Sequence, residues 1–118
     1  MRNATVYLKH IRDAIVRIEK YTEDGRSAFF QHTMVQDSVI RNLEIIGEAV
    51  KNLPAEVKKH HPGVPWRSIT ALRNVLIHEY FGVDLSIVWG VVSKRLPVLK
   101  QHVLAMLSKG QRSKKKAK

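Results

Sequence analysis

The sequence predicts an all-α fold: an up-and-down bundle of four main helices plus one short one. Three observations carry this. Apolar residues recur at three- and four-residue spacing nearly everywhere, the signature of one helical face. No segment alternates apolar and polar residues like a half-buried strand. Glycine and proline fall at intervals that divide the chain into helix-sized pieces: Asp24-Gly25, Pro54, His61-Pro-Gly-Val-Pro65 and Gly82.

The elements follow in order. Leu8, Ile11, Ile15 and Ile18 form the stripe of a first helix over residues 4–22, which Asp24-Gly25 ends. Ser27 is the predicted N-cap of a long second helix reaching Leu53. Its stripe is Gln36, Ile40, Leu43, Gly47 and Val50, with Val39 and Ile46 beside it. A glycine inside a helix costs roughly 1 kcal/mol against alanine, so Gly47 points to close approach by another helix. Pro54 suits the first turn of a short helix to His60, and Pro62 ends it. Trp66 opens a helix through Tyr80, with Ile69, Leu72 and Leu76 facing inward. Asp84 caps the last helix, whose stripe is Leu85, Val88, Val92, Leu96, Leu99, Val103 and Met106. The period persists across Pro97, which predicts a kink there and not a stop. Gly110 is expected to close this helix, leaving one helical domain over residues 1–110 and a basic, disordered tail over 111–118.

With 118 residues and 44% apolar content the chain can build one hydrophobic core. It has no cysteine, so disulfides and thiolate metal sites are excluded. That fits a cytoplasmic location, as does the absence of a signal-peptide pattern in Met1–His10. No apolar run approaches the ~20 residues needed to cross a bilayer, so no membrane association is expected.

The formal net charge is +11. The last eight residues contribute five basic groups and no acid, which leaves 16 basic against 10 acidic groups, +6, on residues 1–110. The body is basic by itself, and RNA or an acidic protein becomes a candidate partner.

The richest stretch for chemistry is Trp66–Tyr80, which contains Arg73-x4-His78-x-Tyr80 with Asn74 directly after the arginine. A guanidinium holds phosphate with a planar fork of donors. An imidazole gives or takes a proton near neutral pH. Together they can cleave RNA without a metal, using the 2′-hydroxyl as nucleophile. Arg73 and Tyr80 share a helix face, being about 20° out of register, while Arg73 and His78 stand roughly 140° apart. A straight single helix does not converge that pair. Two motif helices paired across a two-fold axis could do so, and the spacing suggests a composite site in a homodimer.

A second polar stripe, Asp37, Arg41, Glu44 and Glu48, lies on the second helix, with Asp37 and Arg41 at i, i+4 and Arg41 and Glu44 at i, i+3. It reads as a solvated ion-pair ladder, or as support for a cleft or dimer contact. An arginine among the carboxylates argues against a magnesium site. His60 and His61 are adjacent and make a poor chelate, and His10, His32 and His102 have no partner at ligand spacing, so no metal is expected. Trp66 and Trp89 read as core residues.

The chain resembles the HepT toxins of the HEPN superfamily, helical ribonucleases paired with a minimal nucleotidyltransferase antitoxin, MntA. The resemblance runs from about Asp13 to Leu107. It is carried by Gln36-Asp37, Arg41-Asn-Leu-Glu-Ile-Ile-Gly-Glu-Ala49, Pro65-Trp-Arg67, Arg73-Asn-Val-Leu-Ile-His-Glu-Tyr-Phe81 and Val88-Trp89. It implies a homodimer whose two motifs face one cleft, with Arg73 and His78 as the catalytic pair and Asn74 donating to phosphate or orienting His78. It also implies Tyr80 as the residue to which the antitoxin attaches AMP, and no cofactor. The function expected is a type II toxin acting as a metal-independent endoribonuclease. The alternative is a non-catalytic nucleotide- or RNA-binding module that partners a minimal nucleotidyltransferase.

Overall fold

The computed structural model describes the backbone of residues 2–79 and 82–117, and the side chains of residues 4–79 and 82–109. Seven α-helices follow in order: α1 (Arg2–Tyr21), α2 (Gly25–Gln31), α3 (Thr33–Asn52), α4 (Ala55–His60), α5 (Trp66–His78), α6 (Leu85–Gly90) and α7 (Leu96–Ala117), with a π-helical turn (Val91–Arg95) joining the last two. There is no strand among the described residues. The molecule measures 51 × 27 × 20 Å, and its least dimension is about two helix diameters. The architecture is therefore a two-layer helical bundle, as the periodicity requires.

The core is the union of the sequence stripes. Ile11, Ile15 and Ile18 of α1 are fully buried, with Leu8 nearly so. They meet Val39, Leu43, Ile46 and Val50 of α3, and Leu99, Val103 and Met106 of α7. α3 packs on both α1 and α5, and α1 also packs on α7. One buried polar side chain pins the α1–α3 register: Asn42 Oδ1 accepts from Arg17 Nε at 2.8 Å, and Asn42 Nδ2 donates to the Ser38 carbonyl at 2.8 Å.

Beyond shifts of one or two residues at the ends of α1 and at the C-terminus of α5, which stops at His78, four features differ from the sequence expectations. The predicted long second helix is two helices, α2 and α3. The break is at His32, whose backbone is extended (φ −119°, ψ 108°). Neither glycine nor proline marks it. The bend seats the fully buried Phe29 ring against Trp89 of α6 at 5.3 Å between centroids, and Gln36 Nε2 bridges the break by donating to the Phe29 carbonyl at 3.0 Å. Tertiary burial thus overrides local propensity. The predicted cap at Ser27 shifts upstream for a steric reason: α2 starts at Gly25, whose φ of +92° is readily adopted by glycine alone. In the last helix the expected kink takes the form of the π-helical turn just before Pro97. Proline has no N–H to give and its ring crowds the carbonyl four residues back; a widened turn absorbs both defects. Finally, Gly110 does not end the helix, and α7 runs on to Ala117. One glycine costs only about 1 kcal/mol in a helix, and the lysines, glutamine and arginine around it are good helix formers.

The expected roles of Asp84 and Trp66 hold. Asp84 caps α6, its Oδ1 accepting from the Ser86 N–H at 2.9 Å. Pro54 is the N-cap of α4, one position before the first turn in which it was expected. Trp66 is buried and opens α5, its indole N–H shared by the carbonyls of Lys58 (3.2 Å) and His61 (3.0 Å). This clamp anchors the motif helix to the loop before it. No helix among the described residues is long and apolar enough to cross a membrane.

Two recesses are lined by different residues of α3 and α5. One is apolar, about 340 Å³, lined by Leu43, Ile46, Val64, Ile69, Leu72 and Leu99, with Arg95 and His102 among its lining. The other, about 320 Å³, is polar and holds Arg73.

Candidate active site

Arg73 lies on α5 where that helix comes closest to α3, and Gly47 makes the approach possible. A Cβ built on Gly47 would overlap the Arg73 Cβ and stand 2.7 Å from its Cγ and 3.4 Å from its Cα. The glycine read from sequence as a close-approach point is therefore the seat of the motif arginine. The aliphatic stem of Arg73 is wedged against the α3 backbone, and the side chain is 21% exposed. Its Nη2 contacts Glu48 Oε2 at 2.7 Å, and its Nη1 donates to Asn74 Oδ1 at 2.8 Å. Its Nε is buried with no partner. A buried unpaired donor costs about 1–3 kcal/mol, so the guanidinium is held where its hydrogen bonding is incomplete.

The groove around it is lined by His10 of α1, Arg41, Glu44, Ile45, Glu48 and Ala49 of α3, and Arg73 and Ile77 of α5. Arg41 Nη1 lies 3.6 Å from Glu44 Oε1, and the arginine is largely exposed while the glutamate is mostly covered. Three of the four residues of the polar stripe thus face the motif arginine and are not a detached ladder. Asp37 is the exception: it is exposed and is not part of the groove lining. The stripe's i, i+4 end lies one turn further toward the α2–α3 break.

His78 is the last residue of α5, exposed, and outside the groove lining. In keeping with the roughly 140° between positions 73 and 78, the groove that holds the guanidinium does not include the imidazole of the same chain. Asn74 is exposed too, and its amide oxygen accepts from Arg73 rather than engaging the expected His78 or a phosphate. Neighbouring side chains at positions 73 and 74 can meet because arginine's stem is long enough to fold back. Tyr80, the expected modification site, lies outside the described residues.

One groove residue went unnoticed in the sequence. His10 has no ligand partner at sequence spacing, yet it joins Arg41 and Arg73 in the groove. It sits one residue before Ile11 of the core stripe, so its place next to the α3 face depends on helix packing, which spacing within α1 does not encode. His61, far from this groove, has its pKa lowered by burial first and then by the nearby cations Lys109, His60 and His102.

The sequence of residues 11–106 matches the profile of the HepT-like ribonucleases. The chain belongs to the HepT-like ribonuclease family. Relatives support the assignment. The chain is 45% identical over 95 residues to the "Probable ribonuclease HepT" of Thermococcus cleftensis, covering 80% of this chain and 86% of the relative. It is 40% identical over 110 residues to a "Putative RNase" of Caldanaerobacter subterraneus subsp. tengcongensis, covering 92% and 98%. It is also 42% identical over 114 residues to a "Gamma-glutamylcyclotransferase and putative RNase" of Methanocaldococcus jannaschii. That match takes 96% of this chain but only 51% of the relative, so the chain spans about half of that longer protein. No solved structure matches significantly. The HepT-like segment takes in α3, α5 and every residue of the groove except His10.

Proposed function

We propose that this HepT-like chain is the toxin of a type II toxin–antitoxin pair and acts as a metal-independent endoribonuclease. The observation that supports this most strongly is Arg73: fixed at its stem by Gly47, only partly paired at its head, and facing a groove of nucleotide-binding size. Phosphate can displace Glu48 from Nη2 and take a bidentate hold on the fork. The basic body favours RNA approach.

The reaction divides as follows. His78 takes the proton of the ribose 2′-hydroxyl, whose oxygen attacks the adjacent phosphorus. Arg73 stabilises the charge that grows on the non-bridging oxygens. The P–O5′ bond breaks, leaving a 2′,3′-cyclic phosphate and a 5′-hydroxyl. Since His78 stands outside the groove of its own chain, the imidazole at a given phosphate comes from a second copy, in a cleft formed by two α5 helices. Val75 is exposed on α5 one turn before His78, on the same side of the helix, and suits such a contact. A small nucleotidyltransferase of MntA type is the antitoxin, and Tyr80 is the residue that it would adenylylate. The added negative charge would then repel RNA.

The composite site has a direct test. Arg73→Ala and His78→Ala are each inactive on single-stranded RNA in EDTA. Mixed and re-equilibrated, they regain activity, because half of the sites in a heterodimer carry both native residues. Failure of the mixture to regain activity, with mixed dimers demonstrated, excludes the shared site. The position of His78 also favours a second reading, a non-catalytic RNA- or nucleotide-binding module. It predicts no cleavage by the native chain under any condition.

A further inference from the structure

We infer that His10 is a second catalytic imidazole of the groove, the one that protonates the leaving 5′-oxygen. This deepens the ribonuclease reading above and rests on it. Three observations carry it. His10 lines the same recess as Arg41 and Arg73, although it comes from a different helix and lies 63 positions before Arg73 in the chain. Among the described residues it is the one imidazole there, since His78 is not part of the lining. It is exposed and keeps only an edge contact with Tyr7, 6.3 Å between centroids, so its nitrogens are free to reach a ligand.

The chemistry needs such a group. In an in-line displacement the attacking 2′-oxygen and the leaving 5′-oxygen lie on opposite sides of phosphorus. One imidazole cannot stand at both. An alkoxide is a poor leaving group and must gain a proton as the bond breaks. His10, as imidazolium, gives that proton to the 5′-oxygen while His78 takes the one from the 2′-hydroxyl. After turnover His10 is neutral and His78 charged, and exchange with water restores both. The charged groups that face His10 across the groove are Arg41, Glu44 and Glu48 from α3 and Arg73 from α5. The two arginines would hold the phosphate.

The test uses two RNA oligonucleotides that differ at one linkage, which carries either the ordinary 5′-oxygen or a bridging 5′-sulfur. A thiolate leaves without protonation. His10→Ala should lower cleavage of the ordinary linkage by ~10²–10⁴-fold, the usual worth of general acid catalysis. The sulfur-bridged linkage should be cut within about tenfold of the native rate, and RNA binding should be unchanged. His78→Ala should be slow on both. His10→Gln, which keeps polarity without the proton, should behave like His10→Ala. Circular dichroism checks that each variant is folded, which the exposure of His10 leads one to expect. Equal loss on both linkages, no loss on either, or rescue of His78→Ala in place of His10→Ala overturns the assignment. A native chain inactive on both substrates overturns the ribonuclease reading itself, which is a separate result.

Discussion

Gly47→Ala is the most informative single change, because it perturbs Arg73 without touching a polar atom. The new methyl would overlap the Arg73 Cβ and meet its Cγ at 2.7 Å. Rotating the side chain can move Cγ but not Cβ, which is fixed to the backbone of α5, so α3 and α5 must part. Restoring ordinary carbon–carbon contact at ~3.5 Å requires roughly 0.8 Å at Cγ and more at Cβ. Overpacking of this kind costs about 1–3 kcal/mol. Removing a helix-interior glycine returns about 1 kcal/mol. The net is a destabilisation of about 0–2 kcal/mol, a fall in Tm of no more than about 8 °C for a domain of this size. Activity should suffer more, since ~1 Å of misplacement can cost ~10²-fold. The assay is initial cleavage rate per folded molecule, with thermal unfolding by circular dichroism alongside. Ile46→Val, one residue away in the core, is the control: it should cost ~0.5–1.5 kcal/mol and leave the rate unchanged. A Gly47→Ala protein that cleaves at the native rate would refute the argument that this contact sets Arg73.

Further outcomes follow from the same geometry. Glu48→Gln frees Nη2 of Arg73; stability should change by less than ~1 kcal/mol, and RNA should bind severalfold more tightly in a filter-binding assay, whereas weaker binding would mean that Glu48 orients the guanidinium. Burial and the neighbouring cations lower the pKa of His61 in the folded chain. Below the ordinary imidazole value the unfolded chain therefore binds a proton that the folded chain resists. His61 should thus favour folding above that value and lose this contribution as pH falls through its folded value, so Tm should drop less between pH 8 and pH 5.5 in His61→Asn than in the native chain. Asn42→Ala removes the bond to Arg17 Nε, an exposed arginine that water can then solvate, and should cost ~0.5–1.5 kcal/mol in urea unfolding. Truncation before Gln111 should weaken RNA binding and flatten its salt dependence, with single-turnover cleavage at saturation unchanged; an altered saturated rate would place the tail in the chemistry.

Much of the architecture was legible because burial is written as periodicity. Every residue of the α1 stripe is buried, and Gly47 announced a close contact before its partner was known. The breaks were less legible. His32 carries no breaker, and the bend there exists because Phe29 finds Trp89, sixty residues away. Pro97 announced a defect but not its form, since whether a helix kinks or widens depends on what packs around it. A single glycine at position 110 is too weak a breaker to end α7. In the site, Arg73, Asn74 and His78 were legible as chemistry, but their partners were not. Glu48 was visible only as one rung of a ladder, and His10 only as an isolated histidine.

The sequence alone determined which faces are apolar, which residues can grip a phosphate or move a proton, and that positions 73 and 78 diverge on their helix. These are properties of single elements, set by a 3.6-residue repeat and by side-chain chemistry. Only the packed bundle decided that α3 presents Gly47 and Glu48 to Arg73, that Asp37 stands aside, and that α1 brings His10 to the same groove. Those are relations between elements, fixed by how ridges of side chains interlock across helices, and no spacing along the chain records them.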